Sequence, residues 1–570
     1  MKFRALLSGS AAWANAGLTR QLLAVLLFGF WLIGTYARAR AQPGPSAAVE
    51  SGMSPFALSL EATVLPGLPG MQSYAVGTHE GLWLLLGGRL DGLHRRQPWA
   101  SFDQAGHNTN AWVLNPQTGE IWTRALSDLT PVIAEQLSAT NPCFQQEGET
   151  LYWVGGYGYS GSADAHLTYP ALLTINIPGF IQAVRDGGAL DPHVRRLGDE
   201  RFAVTGGHLQ RLGNQWLLVG GHRFDGLYNP MGHGTHVQTY TDAARRFRLH
   251  ESGETLSATH LPDYADAALF HRRDYNLLPQ IFEDGRLGLT VFSGVFRPDV
   301  DQPFLNSTDL DTLGWSARPD FAQYLNHYHC ATTALYSPAQ QAMHSVFFGG
   351  IAQYTLDAGG NLIQDLDVPF VSTIARVTRT ADGAMGEHQL PVRMPELLGA
   401  GAEFIPVEGL PYAAPGILNL DALLALAGGD SVLIGHIFGG IRSPEPNVFW
   451  VEDGTLSSAD ARIFGLWLKA GGATGMDALN AASVNSLSLQ VYPNPNDGNF
   501  TVSFELEERA EASVRVFNAR GELLETRALG SLSSGRQVHA LSLNSPGEGL
   551  YIVELQAGGK TTVQIVHGEF

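Results

Sequence analysis

Cysteine is nearly absent from this 570-residue chain, which holds only Cys143 and Cys330. That excludes a disulfide-stapled scaffold, so the fold must hold together by burying apolar surface. No CxxC pair and no Cys/His spacing of a structural zinc site occurs. Lysine is scarce, and 54 acidic residues outweigh 35 basic ones for a formal charge of −19. Phosphate backbones and anionic lipid surfaces are held by basic patches, so nucleic acid and lipid headgroups are not expected partners. Charged residues make up only 16% and hydrophobic residues 44%, which excludes a disordered chain. Glycine, by contrast, is abundant at 66, with 30 prolines and 10% aromatics. This is the composition of turn-rich, all-β structure, and the length suits one very large domain or several ordinary ones.

The N-terminus carries the marks of an export signal. Lys2, Arg4 and Arg20 precede an apolar run from Leu22 to about Tyr36, and Ala39-Arg40-Ala41 then offers a small-x-small cleavage site. The run is about 15 residues long, short of the roughly 20 that a spanning helix needs. Residues 1–41 are therefore expected to be a cleaved signal peptide, and the mature protein is not expected to span a membrane.

Through the middle, one pattern recurs: an apolar strand that ends in two glycines. It stands at residues 83–88 (WLLLGG), 151–156 (LYWVGG) and 216–221 (WLLVGG), with looser copies at 289–294, 346–350 and 436–440. Each run is short and apolar on both faces, as a strand packed between two sheets must be. The paired glycines permit positive φ and close backbone approach. Around each run lie further strands and polar turns, such as the hairpin turn Asn115-Pro116-Gln117-Thr118-Gly119-Glu120 closed by Trp122. At these residues the chain resembles the kelch repeat. The resemblance implies a β-propeller over residues 55–470, with six blades for the six glycine-pair strands and seven as the alternative count. Residues 56–64 are expected to supply the strand that closes the ring. The intervals between glycine pairs exceed the kelch period of about 50 residues, and the excess is expected in loops.

The C-terminal segment reads differently. Leu489-Gln490-Val491-Tyr492-Pro493-Asn494-Pro495-Asn496-Asp497-Gly498-Asn499-Phe500 opens a set of alternating strands that ends on residues 549–555 (GLYIVEL). The set reads as a small seven-stranded β-sandwich. The opening Y-P-N-P-x-x-G-x-F and the closing G-x-Y-x-V-x-L resemble the C-terminal sorting domain of type IX secretion in Bacteroidota. That implies residues 489–570 are handled by the type IX machinery after Sec export, leaving the protein secreted or on the outer-membrane surface. Residues 471–488, rich in Gly, Ala, Ser and Asn, read as the linker.

The loops after the glycine pairs carry Arg89 and Asp91, Tyr157, and His222, Arg223 and Asp225. In kelch propellers such loops share one channel mouth with the residues entering the innermost strands, here Asp274, Tyr275, Asn276 and His329. Together they are expected to form a polar, aromatic-lined cup for a protein, peptide or carbohydrate ligand, by hydrogen bonding and stacking. Arg89/Asp91 and Arg223/Asp225 read equally well as local pairs that steady their turns. His327 and His329, two apart, would share a strand face and suit a metal, with the loop His233 to His236 as a further source of ligands. Copper-radical oxidases related to galactose oxidase also carry a kelch propeller, and Tyr328-His329, Cys143 and Tyr275 resemble parts of their site. No second histidine stands in a matching context, and no G-x-S-x-G elbow occurs. A binding protein that needs no cofactor is therefore expected, with a metal-dependent surface enzyme as the alternative.

Overall fold

The computed structural model describes residues 47–49, 54–97, 100–229, 234–253, 255–357, 359–471, 489–494, 496–506, 508–518, 523–543, 549–558 and 560–568. The expected signal peptide and nearly all of the expected linker lie outside these residues. The protein is all-β. Six sheets, each built on four antiparallel strands, follow one another along the chain, with the fifth extended to seven strands and the sixth to five. The first is built from Ala75–His79, Leu82–Leu86, Asn110–Leu114 and Ile121–Ala125, and the second from Cys143–Glu147, Thr150–Val154, Ala171–Asn176 and Val194–Gly198. The third begins at His208–Leu212, the fourth at Asn276–Ile281 and the fifth at Ala331–Ser337. The sixth takes Leu397–Pro406, Ser431–Ser443 and Arg462–Ala470 from late in the chain and its outer strand, Phe56–Val64, from the beginning.

The glycine-pair strands are the second strands of these sheets, and both of their faces are buried. In the first sheet Leu84 and Leu86 join a core cluster with Leu151 and Trp153 of the second sheet, while Trp83 and Leu85 join Ile405 and Phe438 of the sixth. In the third, Trp216 and Leu218 pack with Val154 of the second sheet, and Leu217 and Val219 with Leu289 and Val291 of the fourth. Further clusters join the fourth sheet to the fifth and the fifth to the sixth. Alternating side chains thus serve two neighbours, which is why these strands lack a polar face.

The glycine pair has a definite job. Gly155 has φ +65°, and a Cβ there would overlap the carbonyl oxygen of Val204, in the segment that enters the third sheet. The next residue, Gly156, donates its N–H to that same oxygen at 3.1 Å. The arrangement repeats as Gly88 to Ala139 (2.9 Å), Gly221 to Arg272 (2.9 Å), Gly294 to His327 (3.0 Å), Gly350 to Leu398 (3.1 Å) and Gly440 to Met71 (2.8 Å). Each bond ties one sheet to the entry of the next, and the last ties the sixth to the first. In the fourth sheet Ser293 stands at the first position with φ +50°, which accounts for the looser sequence match there.

Not all of the excess length is loop. Ile177–Asp186 is a helix capped by Asn176, whose side chain accepts from Gly179 N–H, and closed by Gly187 in the left-handed region. Its Phe180, Ile181 and Val184 fill the cluster between the first two sheets. Between the first two strands of the sixth sheet, Tyr412–Ala414 and Ile417–Asn419 form a small hairpin whose second strand pairs in parallel with Ala331–Ser337, and the helix Leu420–Ala427 follows. Ala47–Val49, upstream of the expected domain boundary, pairs in parallel with Glu387–Gln389.

The C-terminal segment forms two sheets among the described residues. One holds Gln490–Tyr492, Asn499–Leu506 and Gly535–Ser542, and the other Ala510–Asn518, Leu523–Leu532, Gly549–Ala557 and Lys560–Gly568. Phe500, Val502 and Phe504 of the first meet Val514, Val516, Val553 and Leu555 of the second in one apolar core. Residues 519–522 lie outside the described residues.

Candidate functional site

Where the six sheets begin, the backbone closes on itself. Ser73 N–H donates to Gly401 O (2.8 Å), Gly401 to His329 (2.9 Å), His329 to Asp274 (2.8 Å), Asp274 to Gly206 (2.8 Å), Gly206 to Asn141 (3.2 Å) and Asn141 back to Ser73 (3.0 Å). One residue from each sheet's entry takes part. Neighbours in such a ring stand about 5.5 Å apart, so opposite Cα atoms are about 11 Å apart. Ser73, Asn141 and Asp274 hold positive φ of 54°, 49° and 49°. Left-handed backbone is uncommon outside glycine, and Asn and Asp tolerate it best. The ring geometry repeats this conformation, with Gly206 and Gly401 at φ 63° and 73°.

A cavity of about 630 Å³ extends from this ring along the first strands of all six sheets to their hairpin turns. Ser73, Asn141, Asp274 and His329 stand at its ring end; Gly148, Gly213 and Pro415 stand at the other. Within it, His329 Nε2 lies 3.3 Å from Glu403 Oε1. The His208 ring meets that of His329 edge-on at 5.3 Å, and His208 Nε2 donates to Tyr275 O at 2.7 Å. Burial pulls the His329 pKa down, but Glu403, and Asp274 after it, outweigh burial and leave it raised. His208, buried and facing His329, is lowered to about 3 and stays neutral. Asp274 accepts from Asn141 Nδ2 at 3.3 Å and pairs with Arg273 Nε at 3.4 Å, whose Nη1 donates to Tyr240 Oη at 2.7 Å. Burial raises the Asp274 pKa, with Arg273 opposing.

Of the residues singled out in the sequence, Asp274, Asn276 and His329 line this cavity. Asn276 braces its neighbours, donating to Tyr328 O and accepting from Cys330 N–H. Tyr275 does not line it: its phenol donates to Val219 O at 2.6 Å inside the core. The glycine-pair loop residues Arg89, Asp91, Tyr157, His222, Arg223 and Asp225 do not line it either. Arg89 is 1% exposed, grips Asp91 through Nε at 2.7 Å and lies over the Phe102 ring. Arg223 pairs with Asp225 (2.6 Å) and Glu200 (2.5 Å), and His222 Nδ1 meets Gln238 Nε2. Tyr157 donates to Gly226 O at 2.8 Å and packs on Phe102 and Phe224, joining the loops of the first three sheets. These side chains brace the loops against one another. Glu403, His208 and Asn141, which the sequence reading passes over, complete the cluster around the ring with Arg273.

The placement of the two histidines on one strand face is corrected. His327 and His329 precede the strand rather than sharing one of its faces. His327 is fully buried, donates Nε2 to Gln323 O at 3.1 Å and accepts from Gln353 N–H at Nδ1. Both of its nitrogens are used, and burial holds its pKa at about 4. His233 lies outside the described residues. Among the described residues no three His, Cys, Asp or Glu side chains gather as a metal site. Tyr328, expected to resemble an oxidase ligand, has its phenol pKa held well above the ordinary value by burial and by the Asp274 carboxylate beside it.

Cys143 and Cys330 are free and buried in different clusters. Burial pushes both thiols up to about 12, so neither is a nucleophile near neutral pH. Alkylation of the native chain is therefore expected to label neither thiol, and unreduced, denatured chain should titrate two. A count of zero after denaturation, with one bridge mapped by mass spectrometry, contradicts this arrangement.

Comparison with known proteins bears on the C-terminus. Residues 490–567 match a family model described as the secretion system C-terminal sorting domain. That match supports export through the type IX secretion system and points to a cell-surface or extracellular location. No curated protein matches the chain. A solved structure described as "Structure of YjhT" is 11% identical, with a TM-score of 0.26, over 57% of this chain and 100% of its own. A likeness at that level carries no argument. Among the described residues no helix is long and apolar enough to cross a membrane.

Proposed function

We propose that the six sheets are the blades of a kelch-like β-propeller, delivered to the cell surface or beyond it after cleavage of residues 1–41, and that it binds a small polar ligand in its central cavity. The observation that carries this reading is the single cavity lined by the first strand of every sheet, with His329, Glu403 and Asp274 gathered at its ring end. The two cyclic sets of backbone hydrogen bonds support the blade count. A cavity of this volume walled by amides, hydroxyls and a few apolar rings has the character of a small-molecule site. Arg89, Asp91, Tyr157, His222, Arg223 and Asp225 shape the outer loops, where a larger protein or peptide partner would meet the surface.

The test is an array of saccharides and short peptides probed with the full-length chain, followed by titration of the hits. His329→Ala and Glu403→Ala are each expected to weaken the captured ligand at least tenfold, with unchanged thermal unfolding. Arg223→Ala, on the outer loop, is expected to leave that affinity intact. Loss of binding in Arg223→Ala alone places the site on the loops and overturns the reading.

A further inference from the structure

We infer that the cavity ligand is a polyhydroxylated amine, an amino sugar or amino polyol, whose ammonium group takes the place of a proton on His329 beside Glu403. This rests on the cavity reading above and narrows it to one chemical class.

The charges along the wall are few. Glu147, Arg211, Asp274 and Glu403 are the ionisable Asp, Glu, Arg and Lys residues that line the cavity. Glu147 and Arg211 answer each other at 3.7 Å near the hairpin turns. Asp274 has Arg273 at its side. Glu403 has no arginine or lysine partner among the described residues; its one ionic neighbour is His329, at 3.3 Å. A carboxylate in a confined site needs a counter-charge or strong hydrogen bonds. In the ligand-free chain that counter-charge is present only while His329 holds a proton.

The backbone of His329 is fixed beside Glu403. Its N–H is bonded to Asp274 O and its carbonyl accepts from Gly401, so its backbone is held by the sheets on either side. The titratable groups around it are Glu403 on the sixth sheet, Asp274 on the fourth with Arg273 behind it, and His208 on the third, with Tyr328 and Cys330 adjacent in the chain. His208 stays neutral and adds no cation. The balance at this end of the cavity therefore favours one added positive charge. The rest of the wall suits hydroxyl groups: Gln145, Gln210, Gln280, Thr332 and Thr333 carry uncharged donors and acceptors.

An aliphatic amine, with a pKa of about 10, holds its proton to higher pH than an imidazole ordinarily does. Below the His329 pKa the ligand must displace a proton, so affinity should fall by up to tenfold per pH unit as pH drops. Above it, affinity should level off.

The experiment titrates full-length chain with glucamine, sorbitol and gluconate, one carbon skeleton ending in an amine, a hydroxyl or a carboxylate, at pH 5.5 and pH 8. Glucamine is expected to bind at least tenfold tighter than sorbitol at pH 8, to weaken at pH 5.5, and to leave gluconate without measurable binding. Glu403→Gln should abolish the preference for glucamine over sorbitol. His329→Gln should keep that preference and lose the pH dependence. Equal binding of all three overturns the amine assignment and leaves the cavity reading standing. Binding of none overturns the assignment too, while the array of saccharides and peptides decides the cavity reading separately.

Discussion

Chain truncated after residue 471 is expected to accumulate in the periplasm, with surface and extracellular material falling to background. The two C-terminal sheets share their own core, made wholly of residues between Val491 and Val566. The six-sheet portion has separate cores, none of which takes a residue beyond Leu468. Truncation should therefore remove the address without unfolding the cargo, and export from the periplasm depends on that address. Fractionation and surface labelling of cells carrying either form provide the measurement. Equal surface labelling of the truncated form contradicts the assignment. A protease-resistant periplasmic fragment is the companion result, since it separates failed sorting from failed folding.

Gly155→Ala is expected to be among the most damaging methyl additions in the chain. Two costs add. A left-handed φ costs an L-residue about 1–2 kcal/mol, and the new Cβ would overlap the Val204 carbonyl, forcing a shift between sheets worth about 1–3 kcal/mol. The Gly156 N–H bond to the same oxygen would be strained with it. Gly148→Ala is the control in the same sheet: its φ is +58°, yet nothing lies within 4 Å of a Cβ there. It should lose only the first cost, about 1–2 kcal/mol. Denaturant midpoints of both variants against the parent give the comparison. Equal losses would mean that the inter-sheet contact at Gly155 carries no weight.

The glycine-pair strands are legible because two independent signals coincide: apolar residues at consecutive rather than alternate positions, and a glycine pair with a steric reason to be there. The pairing of Phe56–Val64 with Arg462–Ala470 follows from the need to complete the last sheet. The helix at Ile177–Asp186 falls in length that the glycine spacing assigns to loops, and its marks in the sequence are Asn176 at its start and Gly187 at its end. The site is harder to read. Arg89 and Asp91 repeat the Arg-x-Asp spacing of Arg223 and Asp225 one residue closer to their glycine pair, which makes them look functional, yet each arginine is bonded to its own aspartate. Glu403 sits in a run of small residues with no local partner in sequence, and its histidine comes from another sheet. Contacts across a ring leave no spacing to find; the only local trace is the run of Ser, Asn, Gly and Asp where each first strand begins, which signals left-handed backbone rather than chemistry.

The strand pairing that closes the sixth sheet also sets an order of events. It joins segments about 400 residues apart, and gathering a loop of that length costs about 5 kcal/mol of chain entropy before any contact repays it. Pairs with such long separation form late, after the local hairpins have assembled. The partner strand Arg462–Ala470 is also among the last cargo segments to emerge from the ribosome or the inner-membrane channel, some twenty residues ahead of the sorting segment at 490. An incomplete chain therefore lacks both the closing strand and the address. Only a chain that extends through its last sheet and beyond it can both pair this strand and present the sorting segment.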